Sequence, residues 1–126
     1  MKTRRASKKD LPAILELIKE YPEKLMQEHL PKAGSFFVAV EDGKIVGCCA
    51  LEIYSKRLAE IRSLAVTEKY HEQGIATKLI EKCMAEARKK KVYEVLAISG
   101  SISFFENYGF QTFQKEKFAL IKILGS

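Results

Sequence analysis

Residues 63–84, SLAVTEKYHEQGIATKLIEKCM, decide how this chain is read. An apolar strand ends there in a short polar turn, a glycine follows, and an amphipathic helix begins. The first turn of any α-helix has backbone N–H groups without partners inside the helix, and a partial positive charge from the aligned peptide dipoles. Anionic oxygens satisfy both, so the layout is that of a phosphate cradle. Gly74 lets the backbone approach a bulky phosphate or take a positive φ, while Ala76 and Thr77 keep the wall behind it small. Beyond the turn, Ile75, Leu79, Ile80, Cys83, Met84 and Ala87 recur at helical spacing, with Lys78, Glu81, Lys82 and Glu86 opposite. The helix is expected to lie on a sheet. A glycine that merely precedes a structural helix would look the same locally, so wider context has to decide.

Two phosphate motifs are absent: no G-x-G-x-x-G follows a strand, and no G-x-x-x-x-G-K precedes Ser or Thr. At 126 residues the chain is expected to form one domain over 1–126, large enough for a core and too short for a second folding unit. Its 47% hydrophobic content is that of a globular protein. The longest apolar runs, such as 45–51, fall far short of the roughly 20 residues of a membrane span. The basic start, 1–9, lacks the apolar stretch of a signal peptide, so a cytoplasmic protein with no membrane partner is expected. The net charge of +6 suits an anionic ligand and equally suits nucleic acid. The basic residues are dispersed, however, and their dense run, 88–91, falls at a helix end where cations complement the dipole, so nucleic acid is not expected. Cys48, Cys49 and Cys83 are odd in number, lie in apolar contexts and lack metal-ligand spacing; they read as core, with no metal and no disulfide.

Along the chain, 3–6 reads as an opening strand. Ser7 then caps a helix with Asp10 at its third position, and Leu11, Ile14, Leu15, Leu17 and Ile18 form the apolar face. Residues 21–32 carry two prolines and read as a connector with room for one more helical turn. Segments 35–40 and 44–54 are β-rich and joined by Asp42-Gly43, a strong hairpin signal; 57–66 continues the meander. After the long helix, 92–98 is a strand expected parallel to 57–66, because a helical crossover joins them. A short helix over 101–108 ends at Gly109, and 110–114 with 118–124 is expected to close the sheet as a hairpin. The fold class is α/β: one mixed, mostly antiparallel sheet with helices on both faces.

LAEIRSLAVTEKYHEQGIATKLIEKCMAEARKKKV, at 58–92, and SFFENYGF, at 103–110, together resemble the core of the GNAT superfamily of acyl-CoA-dependent N-acetyltransferases. Within it, DLPAILELI and FFVAVEDGKIVGCCAL point to the acetyltransferase domain of N-acetylglutamate synthase-like proteins. The resemblance covers nearly the whole chain and implies a central sheet with a splayed parallel strand pair. It places the family's Arg/Gln-x-x-Gly-x-Gly/Ala loop, which holds the pyrophosphate of acetyl-CoA, on His71, Glu72, Gln73, Gly74, Ile75 and Ala76. His71 stands where Arg or Gln is usual, and Glu72 where a glycine is frequent. Since backbone N–H groups do most of the cradling, these departures weaken binding rather than abolish it.

Acetyl transfer to an amine needs a held thioester, a donor to the oxyanion, a base for the ammonium and a proton for the departing thiolate. The resemblance implies a bulge around Leu64, Ala65 and Val66, where the pantetheine arm pairs like a strand and the N–H of Leu64 or its neighbour meets the acetyl carbonyl. Glu60, earlier on that strand, is the candidate base; the plainer reading is a carboxylate paired with Arg62 or a surface cation. Arg62, two residues away, suits recognition of an acceptor carboxylate. Phe105 stands where many relatives carry a general-acid tyrosine and can touch the coenzyme arm. Tyr108, Ser101 or Ser103 can substitute as the acid, or water can protonate the thiolate; for Tyr108 packing is the favoured single reading.

The leading expectation is an enzyme, an acetyl-CoA-dependent N-acetyltransferase acting on a small amine, with an amino acid such as glutamate as the first specific acceptor. A protein N-terminus, a lysine side chain and a polyamine are the alternative acceptors. A coenzyme-A-binding regulatory domain that has lost catalysis is the alternative outside enzymes. The expected partners are coenzyme A and a small amine acceptor, with a homodimer left open.

Overall fold

The computed structural model describes residues 1–112 and 120–125. Five strands form one sheet in sequential order: β1 (Lys2–Arg5), β2 (Phe36–Glu41), β3 (Lys44–Ile53), β4 (Leu58–Val66) and β5 (Glu94–Ala97). The first four are antiparallel neighbours, and β5 runs parallel to β4. The parallel pair needs a crossover, supplied by α2 (Ile75–Lys89). Helix α1 (Leu11–Lys19) follows β1, and a short α3 (Ile102–Glu106) follows β5. Among the described residues, no helix is long and apolar enough to cross a membrane.

The two faces of the sheet carry separate cores. On one, Ile75, Leu79, Cys83 and Ala87 of α2 pack against Phe37, Ala39, Cys49, Leu51, Ala59 and Ile61. On the other, Ile14, Leu17 and Ile18 of α1 pack against Phe36, Val38, Cys48 and Ala50. Alternation along β2 and β3 sends neighbouring residues to opposite helices, which is why both strands are buried almost throughout. The three cysteines are core residues, with Cys49 and Cys83 sulfurs 3.7 Å apart. Helix α2 sits low on the sheet because β3 carries a glycine beneath it. A Cβ at Gly47 would lie 3.0 Å from Ile75 Cγ2 and 3.1 Å from Leu79 Cδ1.

The sequence locates every strand and α-helix observed, with ends displaced by one to a few residues, as frayed ends are. The connector contains its one helical turn, closed by Leu25 N–H donating to the Tyr21 carbonyl at 3.0 Å. The closing hairpin differs. Phe110 N–H donates to the Phe105 carbonyl at 3.3 Å, so the chain folds back on α3, and 110–112 form no strand. Residues 120–125 form none either, with Leu120 and Leu124 exposed; the remainder of that expected hairpin, 113–119, lies outside the described residues.

The entry to α1 is held by Asp10. Its Oδ2 accepts from Ser7 N–H at 2.8 Å, and Arg4 clasps both carboxylate oxygens at 2.7 and 3.0 Å, tying β1 to the helix start. Arg4, and secondarily the Ser7 amide, hold this carboxyl well below the usual carboxylate range. A depressed folded-state pKa stabilises fully above the unfolded value, roughly pH 4, and the contribution fades as pH falls below it. Asp10→Asn should therefore lower the urea midpoint at pH 7, and the gap from the parent protein should narrow steadily between pH 4 and pH 2.

Candidate active site

Pairing between β4 and β5 runs from Leu58↔Glu94 to Ile61↔Ala97 and stops, while β4 continues to Val66. On its other edge β4 carries a bulge: Ala50 pairs with Arg62 and Cys48 with Ala65, so Cys49 alone faces both Ser63 and Leu64. Ser63 takes the left-handed conformation that accommodates the extra residue, at φ 55°. The bulge shifts the alternation. Ile61, Leu64 and Val66 face the α2 side, and Ala65 faces the α1 side. The strand segment past Ile61 thus presents backbone on the β5 side with no ladder partner there among the described residues.

After Val66 the chain makes a single 3-10 turn, Glu68–Tyr70, and reaches α2 through two residues in left-handed conformation, Glu72 at φ 62° and Gly74 at φ 79°. The space around Gly74 is open, with nothing within 4 Å of where a Cβ would stand. Residues Gly74, Ile75, Ala76 and Thr77, at the start of α2, line this opening. The Val66 carbonyl is saturated: it accepts from the Tyr21 hydroxyl and, at 2.6 Å, from His71 Nε2–H. His71 Nε2 also lies 2.8 Å from the Tyr21 oxygen, with the two rings stacked. Burial, aided by the charges of Glu20 and Glu68, pushes the Tyr21 hydroxyl pKa up, keeping it a neutral donor. His71, standing where Arg or Gln was expected, straps the loop and the connector to the end of β4.

These pieces enclose a mostly apolar cleft of about 430 Å³. Of the residues singled out in the sequence, Leu64, Ala65, Val66, His71, Glu72, Gly74, Ile75, Ala76 and Thr77 line it. Gln73 does not; its amide donates to the Lys69 carbonyl at 3.4 Å. Phe105 packs edge-on against Phe110 and lines a second groove beside β5, and its neighbour Phe104 faces the cleft instead. Tyr108 is hydrogen-bonded through its hydroxyl to Thr77 Oγ1 and is outside the cleft lining. Tyr21, Lys24 and Leu25 of the connector complete the wall. The resemblance implies that the 21–32 region helps wall the acceptor site, but an irregular segment has no periodicity to say which of its side chains point inward.

Glu60 and Arg62 project from β4 on the α1 side of the sheet, outside the cleft lining, and meet two residues of β3. Tyr54 hydroxyl donates to Glu60 Oε1 at 2.5 Å, and Arg62 Nη1 donates to Glu52 Oε2 at 2.7 Å. Arg62 Nη2 donates to the His29 carbonyl at 3.1 Å and approaches Met26 Sδ. Burial, then the bond to Glu60, pushes the Tyr54 hydroxyl up to about 12. Lys24 and Leu25 on the cleft and Met26 and His29 on Arg62 belong to one connector, so this polar cluster adjoins the cleft two residues before its floor begins at Leu64.

A strand pair parting into an opening beside a helix start is the arrangement implied by the resemblance to acyl-CoA-dependent N-acetyltransferases. The acetyltransferase (GNAT) domain family model matches residues 32–112, and the chain belongs to that family. It is 42% identical over 83 residues to an uncharacterized N-acetyltransferase of Chlorobaculum tepidum, covering 66% of this chain and 54% of that protein. It is 31% identical over 115 residues to the amino-acid acetyltransferase of Mycobacterium tuberculosis, covering 85% and 66% respectively. The chain thus spans about half to two thirds of the length of these relatives. Among solved structures, Rv2747 from Mycobacterium tuberculosis, in complex with CoA and NLQ, superposes with TM-score 0.84 at 30% identity, over 90% of this chain and 73% of that one. N-acetylglutamate synthase from Neisseria gonorrhoeae, complexed with coenzyme A and N-acetyl-glutamate, gives TM-score 0.80 at 26% identity, over 93% and 30%.

The loop conformation has a direct thermodynamic consequence. A left-handed non-glycine residue costs roughly 1–2 kcal/mol, partly offset by the greater freedom glycine loses on folding. Glu72→Gly should raise the unfolding free energy by about 0.5–1 kcal/mol, whereas Gly74→Ala should lower it by about 1–2 kcal/mol, both read from urea titration.

Proposed function

We propose that this chain is an acetyl-CoA-dependent N-acetyltransferase whose acceptor is the α-amine of a small amino acid, glutamate first among the candidates. The observation that carries the reading is the continuity of the cleft, from the unpaired edge of β4 after Ile61 to the open first turn of α2 at Gly74. The acceptor class is supported by the names and complexes of the relatives and by a guanidinium, Arg62, beside the cleft.

When bound, acetyl-CoA supplies the acetyl group as a thioester. The amides of Gly74 to Thr77 are suited to its pyrophosphate, with the positive end of the α2 dipole behind them. The backbone of β4 from Leu64 to Val66 offers strand-like pairing to an extended pantetheine arm, and Leu64 N–H or its neighbour donates to the thioester oxygen as negative charge gathers there. Glu60 accepts a proton from the acceptor ammonium, directly or through water, which frees the amine to attack. The short bond from Tyr54 fixes one oxygen of Glu60 and leaves the other for this task. Arg62 holds the acceptor carboxylate. Tyr108, engaged with Thr77, steadies the first turn of α2, and the departing thiolate takes its proton from water.

The test is release of free coenzyme A by purified protein supplied with acetyl-CoA and a panel of amino acids. Turnover with at least one amino acid is expected, and binding of CoA without turnover on any acceptor would favour a regulatory domain. Glu60→Gln should cut turnover at pH 7 by about 10²-fold or more and recover partly towards pH 9, where free amine no longer needs the base. Glu72→Gly, which takes a carboxylate away from the cleft, should tighten CoA binding several-fold by calorimetry, with the gain shrinking at high salt.

A further inference from the structure

We infer that Glu52 is a specificity-determining residue that occupies Arg62 in the resting protein and must be displaced by the carboxylate of the acceptor. The inference rests on the amino-acid reading above and deepens it. Glu52 and Glu60 stand directly opposite each other on β3 and β4. Like charges so placed repel, and such a pair survives only when each carboxylate is compensated. Arg62 compensates Glu52 at 2.7 Å, and Tyr54 compensates Glu60 at 2.5 Å. Each terminal nitrogen of Arg62 already has a partner, Glu52 for one and the His29 carbonyl for the other, and its side chain is only 19% exposed.

An incoming carboxylate therefore meets a guanidinium whose charge is already paired with another carboxylate. The cluster of two carboxylates and one guanidinium is net negative, which favours an ammonium group and resists a free carboxylate. Glu52, one third exposed, is the partner that can swing out to solvent, whereas Arg62 is held by the connector through Met26 and His29. Exchange of one carboxylate for another keeps Arg62 paired throughout, so the acceptor gains only the difference between two similar bonds. An acceptor with no carboxylate leaves Glu52 in place and forgoes that exchange. Glu52 acts through Arg62 as a positioning residue and sets the discrimination between an amino acid and its α-carboxamide.

The test compares the amino acid turned over fastest by the parent protein with its α-carboxamide, in full steady-state kinetics. Glu52→Gln should raise the ratio of kcat/KM for the acid over the amide about tenfold, carried by a lower KM for the acid. Combining it with Arg62→Gln should erase the rise. Glu52→Asp, which retains the charge but shortens the reach, should raise the ratio in the same direction by a smaller factor, and it serves if the glutamine variant folds poorly. An unchanged ratio in a variant that still acetylates the amino acid overturns the inference and leaves the proposed function standing. A parent protein that acetylates no amino acid overturns both.

Discussion

Everything in the candidate site depends on one extra residue in β4. With Ser63 inserted opposite Cys49, the strand bends at the point where its pairing with β5 has just ended, and the alternation of its side chains is reset. Were Ser63 to continue the regular alternation instead of bulging, Leu64 would turn to the α1 side and Ala65 to the α2 side, and the two cores could not both close over the strand. The bulge therefore reconciles a sheet buried on both faces with an open edge that has backbone to offer. A bulge beside a binding cleft is a common device for ending a ladder without ending the strand.

The chemistry on either side of the bulge differs in kind. Beyond it lie main-chain donors, with aromatic and aliphatic walls; before it lies a tight group of charged side chains linked across β3 and β4. The connector after α1 spans both, with Tyr21, Lys24 and Leu25 over one and Met26 and His29 over the other. Its own fold is tied by the side-chain amide of Gln27, whose two N–H groups are shared among the carbonyls of Ile18, Tyr21 and Leu25 within 3.3 Å. An irregular segment with so many internal bonds can hold its residues to a wall as firmly as a helix does.

Much of this architecture was legible in the sequence because it follows from periodicity and turn chemistry. The 3.6-residue recurrence from Ile75 to Ala87 gave α2 and its buried face, Asp42-Gly43 gave the β2–β3 turn, and the crossover required β5 to be parallel to β4. The loop from His71 to Ala76 was legible by likeness to a known pattern, and the left-handed φ of Glu72 explains why a glycine is frequent there. Three things were not legible. The choice between Phe104 and Phe105 turns on where a five-residue helix begins, finer than pattern reading resolves. The pairing of Glu52 with Arg62 depends on strand register, which exists only once the hairpin and bulge are both placed. Of the expected closing hairpin, residues 110–112 form no strand because Phe110 spends its amide on the end of α3, a local bond that pattern reading does not show.

Gly47 lies on the far side of β4 from β5, yet the missing side chain there determines how closely the axis of α2 approaches the sheet. Main-chain donors cannot be tuned by changing their identity; only their location can vary. Precision at such a locus is inherited from the packing underneath, so selection for ligand grip in this molecule falls on buried positions that never meet the ligand.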